Sequence, residues 1–180
     1  MKDRSIYIIL MNTGTLLSKA IRFITKYKYS HVVLSLDNEF TKLYSFGRKK
    51  PHNFLVAGFV TYGVESEFFK TFDKTECVVY EFNIDAEAYG RLKKVLEQFE
   101  NNVELYHYDI KGLLLRYFYP YIEERQNYYV CSQFVASVLE NAEVYSFDKP
   151  AKLVKPYDFS GIPETEKIYE GRLNSLTRKK

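Results

Sequence analysis

The apolar positions of this chain switch between two periods, and the switches mark out its elements. Ser5-Ile6-Tyr7-Ile8-Ile9-Leu10-Met11 is a β-rich run closed by the turn formers Asn12-Thr13-Gly14-Thr15, so it reads as a first strand. Leu16, Leu17, Ala20, Ile21 and Ile24 then recur at helical spacing, which predicts an amphipathic helix from about Leu16 to Tyr27. Strand character returns in Ser30 to Leu36. Asp37-Asn38-Glu39 turns that strand, Thr41 to Phe46 comes back as a third, and Gly47-Arg48-Lys49-Lys50-Pro51 ends the hairpin. Phe54 to Val60, Val64 to Phe69 and Glu76 to Phe82 read as further strands, with loops at Tyr62-Gly63 and Asp73-Lys74.

The second half is mainly helical. Asp85 is suited to cap a helix whose Tyr89, Leu92, Leu96 and Phe99 share one face, and Asn101-Asn102 stops it. Ile110 to Phe118 reads as helix until Pro120. After the extended Asn127-Tyr128-Tyr129-Val130, the residues Phe134, Val135, Val138, Leu139 and Ala142 follow Cys131 at helical offsets. Cys131 therefore falls on the buried face of a helix, in its first turn. The last forty residues, with Pro150, Pro156 and Pro163, read as an extended wrapping segment followed by a short terminal helix.

Composition narrows the class. The 180 residues are 46% hydrophobic, enough for one sizeable core and too few for two comfortable domains. We expect a single domain over residues 1–180, with 143–180 as a C-terminal wrapping extension. The 17 Tyr and 14 Phe supply side chains with apolar bodies, and the tyrosines add a polar tip, as on cleft walls. A net charge of +3, with short basic runs such as Arg178-Lys179-Lys180, gives no recognised nucleic-acid module, so no nucleic-acid partner is expected. No apolar run approaches the roughly 18 residues of a membrane-spanning helix. Two cysteines do not make a disulfide framework, and a reducing, cytoplasmic setting is expected.

Placement at a helix start gives Cys131 a source of partial positive charge for a thiolate, whereas Cys77 lies inside the apolar strand Cys77-Val78-Val79-Tyr80 and reads as core. A cysteine nucleophile needs a base, and three histidines are present. His52 follows a proline in a loop and His107 sits in a polar stretch. His31 projects from a strand, on the face it shares with Val33 and Ser35 and away from Val32, Leu34 and Leu36. With a loop of Asp37 to Glu39, Ser45 would sit directly across from His31, where its hydroxyl could fix the imidazole tautomer. The bland alternative for each is core filler or an ordinary strand residue.

Tyr29-Ser30-His31-Val32-Val33-Leu34-Ser35-Leu36, Leu43-Tyr44-Ser45-Phe46-Gly47 and Cys131-Ser132-Gln133-Phe134-Val135 together resemble the circularly permuted papain-like hydrolases. These are relatives of the NlpC-type peptidases and include the YiiX-like proteins and, more distantly, lecithin–retinol acyltransferase. The resemblance spans roughly Ser5 to Ala142. It implies an α+β fold in which an antiparallel sheet bearing the histidine packs on the nucleophile helix. It implies Cys131 as nucleophile, His31 as base and Ser45 at the position of the orienting residue, where relatives usually carry Glu, His, Asn or Gln. Tyr108, four residues before Gly112, would contribute to the oxyanion site, better placed for it than Tyr106. The implied activity is hydrolysis of amide (peptide-like) or ester bonds through a thioester, without metal or other cofactor, on a small peptide-like or acyl substrate. The alternatives are acyl transfer to lipid and a non-catalytic module that binds a small ligand in the same cleft.

Overall fold

A computed structural model of the chain describes residues 3–15, 18–19, 22–23, 26–51, 53–115 and 125–176. Strand β1 (Arg4–Asn12) has both faces buried: Ile6, Ile8 and Leu10 point to one side, Tyr7, Ile9 and Met11 to the other. That is why its sequence is a continuous apolar run instead of an alternation. Antiparallel neighbours flank it, β2 (His31–Ser35) on one side and β5 (Glu76–Ile84) on the other. Outward from β2 lie β3 (Leu43–Lys50), β4 (Asn53–Tyr62), the two-residue β6 (His107–Tyr108) and β7 (Tyr128–Tyr129). Outward from β5 lies β8 (Thr165–Arg172), giving eight strands in the order β7-β6-β4-β3-β2-β1-β5-β8. The β6–β7 pair is parallel, so the sheet is mixed and not purely antiparallel as expected from the resemblance.

Two helices cover one face. In α2 (Ala86–Asn101), Asp85 accepts from the N–H groups of Glu87 and Ala88, both at 2.8 Å, satisfying donors the helix start leaves unpaired. Its Leu92, Leu96 and Phe99 join Val135, Val138 and Leu139 of α4 (Cys131–Asn141) in a core against Ile8, Leu10, Val32, Leu34, Phe46 and Phe59. Phe46, Phe59, Phe99 and Phe134 meet there with ring centroids 5.0–6.2 Å apart. The opposite face is covered by a smaller cluster in which Val33, Leu43, Cys77 and Val79 pack with Phe40, Phe69 and Leu173.

The structure departs from the sequence reading in four places. Val64 to Phe69 is not a strand: it turns into α1 (Glu67–Thr71), whose Phe68 stacks on Tyr62 with centroids 4.5 Å apart. Strand β3 continues through Gly47-Arg48-Lys49-Lys50, where a turn was expected. The C-terminal segment ends in strand β8 and a 3-10 turn, Leu173–Ser175, instead of a short helix. The wrapping residues before it are core: Val154, Phe159 and Ile162 are buried against α4 and the sheet.

The fourth departure is the β2–β3 register. Leu34 pairs with Tyr44, so Gly47, and not Ser45, lies across from His31. The cause is a longer connection. Asp37 accepts from the N–H groups of Glu39 and Thr41 and from the Thr41 hydroxyl, and Phe40 takes a left-handed φ of 55°. An even shift leaves Ser45 on the His31 face.

Of the helix expected from Leu16 to Tyr27, Ser18, Lys19, Arg22 and Phe23 are helical, and Lys26 and Tyr27 are not. The positions 16, 17, 20, 21, 24 and 25 lie outside the described residues. The helix expected over Ile110 to Phe118 is α3 (Ile110–Leu115); residues 116–124, His52 and the basic tail from 178 lie outside them too.

Candidate active site

Strand β7 runs into α4 through Val130, whose carbonyl accepts the first helical bond from Phe134. Val130 has no side chain to cap the helix, so the first N–H groups of α4 are free to serve other acceptors. One acceptor is the Cys131 sulfur, which draws on the backbone N–H groups of Val32, Ser132 and Cys131 itself.

Val32 explains how a helix thiol reaches a strand amide. The β2–β3 ladder contains the pair Leu34↔Tyr44, and the next rung in that register would join Val32 to Phe46. That rung is not formed. The Val32 carbonyl instead accepts from the Ser45 hydroxyl at 2.8 Å, and its N–H faces the Cys131 sulfur. The two strands part here, and the thiol and the serine occupy the opening.

The Ser45 hydroxyl has one proton, committed to Val32. Its 3.3 Å contact with His31 Nε2 therefore has the ring N–H donating to Ser45 Oγ. This fixes the Nε2–H tautomer and leaves Nδ1 as the basic nitrogen. The ring lies over Gly47, where an added Cβ would sit 3.5 Å from His31 Cε1, in ordinary van der Waals contact. Among the described residues no hydrogen bond joins the His31 and Cys131 side chains. By strand alternation His31 lies on the Ser45 and Val33 face, whereas Cys131 belongs to the core on the Val32 face. The two groups approach the parted rung from opposite sides.

Charge is disfavoured on both. Burial pushes the Cys131 thiol up to about 11 from its ordinary value of 9.0, and the three N–H groups only partly offset this. His31 is pulled down to about 4, first by the loss of water around the ring and then by the Arg48 guanidinium nearby. At neutral pH the pair rests as thiol and neutral imidazole.

Cys131 lines a narrow cleft of ≈ 40 Å³ together with Ser30, Tyr108, Leu113, Val130 and the strap 152–156. The room suits a few waters or one slender group. Tyr108 is placed there by its neighbour. Asp109, 2% exposed, accepts from the Gly112 N–H at 2.9 Å and so starts α3, while Arg125 balances its charge at 3.5 Å. Ser30 is held by Ser18, whose hydroxyl lies 2.6 Å away and in turn donates to Asn12. Ser132 ties the strap to α4 by donating to the Val154 carbonyl at 2.6 Å.

Cys131, Tyr108 and Ser30 thus share one cleft, and His31 and Ser45 stand behind it at the parted rung. Cys77 lies fully buried on β5, with its thiol pushed up to about 12 by burial, and His107 sits exposed beside Tyr128. Arg48 was hidden from sequence reasoning because it was placed in a turn. The Val32 amide carries no side-chain signal at all. Among the described residues no group of three or more His, Cys, Asp or Glu converges as metal ligands would. No helix among them is long and apolar enough to cross a membrane. No family model, curated protein or solved structure matches the chain.

Proposed function

We propose that the chain is a permuted papain-like cysteine hydrolase of amide or ester bonds, working in a reducing, cytoplasmic setting. The observation that carries this reading is the Cys131 sulfur, held at the first turn of α4 among three backbone N–H groups, in a residue that lines a cleft. Those N–H groups form a site where negative charge on sulfur, or on a carbonyl oxygen that displaces it, is stabilised without a cation.

The resting pair is neutral, so the mechanism is general-base catalysis and not a preformed ion pair. A carbonyl carbon enters the cleft. For His31 Nδ1 to act as the base, the parted rung must open further and bring it to the sulfur, where it takes the thiol proton as sulfur bonds to that carbon. The carbonyl oxygen becomes an oxyanion at the α4 amides, with the Tyr108 hydroxyl as a further donor. Collapse expels the amine or alcohol, which takes the proton back from His31 and leaves a Cys131 thioester. Water then adds, its proton passing to His31, and the acid leaves as the thiol re-forms. Ser45 keeps the correct nitrogen free throughout.

The test is to incubate the protein with p-nitrophenyl acyl esters and acyl amides and to look for a Cys131 acyl adduct by mass spectrometry. The adduct is expected in wild type, cleaved by hydroxylamine, absent in Cys131→Ala and strongly reduced in His31→Ala. Faster turnover with added alcohol than with water would identify the acyl-transfer branch. The neutral state of both groups favours a second reading, a ligand-binding module on the same fold. Absence of any adduct, together with tight binding of a small acyl or peptide ligand in the cleft, would establish that reading in place of catalysis.

A further inference from the structure

Beyond the cleft, the described residues hold one exposed surface whose chemistry has a defined partner. Lys19, Arg22 and Phe23 share one helical face, and Lys26, at a left-handed φ of 55°, follows just past its end. Lys19 donates its backbone N–H to the Thr15 carbonyl and Lys26 to that of Arg22, both at 2.8 Å, which ties Lys26 back to the end of the helix. Ser18, on the other side, is buried and bonded to Asn12 and Ser30. Phe23 is 88% exposed, the most exposed large apolar side chain among the described residues. None of Lys19, Arg22 and Lys26 makes an ion pair among the described residues. Their neighbour Lys28 differs, lying 3.7 Å from Glu76 and 3.6 Å from Glu170.

We propose that this face docks the protein on anionic phospholipid membranes. A fully exposed phenyl ring costs solvation free energy in water and gains it back at the boundary between headgroups and acyl chains. Cations at positions −4, −1 and +3 from it stand where they meet lipid phosphates while their stems follow the ring inward. One ring and three cations make a reversible contact, not an insertion. The alternative of single-stranded nucleic acid would need several stacking rings along a groove, and this face offers one. Ser30, tied to the same helix through Ser18, lines the Cys131 cleft, so docking would hold that cleft beside the membrane surface. The proposal does not depend on Cys131 being a nucleophile.

The measurement is co-sedimentation of the full chain with vesicles of phosphatidylcholine, with and without about one-third phosphatidylserine, at roughly 0.1 M salt. Binding is expected only to the serine-containing vesicles and should fade as salt is raised. Each cation removed should weaken binding roughly fivefold, so Lys19→Gln with Arg22→Gln and Lys26→Gln together should cost about a hundredfold. Phe23→Ser should cost about tenfold. Exposure makes all four substitutions compatible with the fold, which an unchanged thermal midpoint verifies. Cys131→Ala should bind as wild type does, which separates this proposal from the hydrolase reading. Failure to bind anionic vesicles, equal binding to neutral ones, or binding insensitive to Phe23→Ser would overturn it. So would capture of single-stranded oligonucleotide through these residues in place of vesicles.

Discussion

If Cys131 rests as a neutral thiol, its alkylation must follow an unusual pH profile. The perturbation is a titration of iodoacetamide reactivity from pH 5 to 11 in a Cys77→Ala background, with His31→Ala beside it. With the thiol at about 11, the thiolate fraction at pH 7.5 is on the order of 3 in 10,000. A thiol at its ordinary 9.0 would give about 3 in 100, so Cys131 should react roughly a hundredfold more slowly. Its 4% exposure slows it further.

The same figures bound the ion pair. The gap between a thiol at about 11 and an imidazole at about 4 corresponds to roughly 9 kcal/mol for moving the proton. Even two opposite charges brought to about 5 Å at an effective dielectric near 20 would regain only about 3 kcal/mol. Some 6 kcal/mol is left, so less than one molecule in ten thousand holds the ion pair. The logarithm of the rate should therefore climb with unit slope to about pH 11, and His31→Ala should leave that slope in place. A plateau beginning below pH 8, lost in His31→Ala, would refute the reasoning and establish a thiolate–imidazolium pair instead.

Other outcomes follow from the same geometry. Ser45→Ala removes the donor to the buried Val32 carbonyl and the acceptor for His31 Nε2; it should cost about 1–3 kcal/mol in denaturant unfolding and lower acyl-adduct formation. Gly47→Val should displace the imidazole, since even a Cβ there touches His31 at 3.5 Å, and should lower adduct yield with little effect on Cys131 alkylation. His31 binds its proton at about 4 when folded and 6.5 when unfolded, so below pH 6.5 only the unfolded chain gains protons. Stability should fall by about 3 kcal/mol as pH drops from 6.5 to 4, and His31→Gln should remove that part of the acid limb in a pH series of urea melts. Above pH 9.0 the signs reverse for the thiols, which ionise only in the unfolded chain, and Cys77→Ala should flatten the alkaline limb up to about 12.

What the sequence made legible was whatever depends on local period. The Asp85 cap, the apolar stripe of α2, the placement of Cys131 in the first turn of α4 and the strand of His31 all rest on neighbours within a turn or a pleat. The misread segments depend on distant partners. Val64 to Phe69 has strand-like composition, but Phe69 finds its core in a short helix, edge-on against Tyr62 and Phe68. Strand β8 alternates charged and half-buried residues that acquire strand character only beside β5. At the site, residue types pointed to Cys131, His31 and Ser45, and the family resemblance to Tyr108. The parted Val32 rung is a backbone event set by the length of the Asp37 loop, and no side-chain pattern announces it.

The last strand of the sheet also sets an order of events for a growing chain. Strand β8 covers the open edge of β5, yet about 80 residues separate them in sequence. At ribosomal speeds of about 5–20 residues per second, β5 waits several seconds with that edge uncovered. During the wait its Val78, Val79 and Cys77 offer unpaired backbone groups to any other strand. Once β8 arrives, the exposed Glu166, Lys167, Glu170 and Arg172 turn a sticky edge into a charged one. A chain cut before Thr165 keeps the cleft residues and loses that cover, so its failure would be clumping rather than a missing active site.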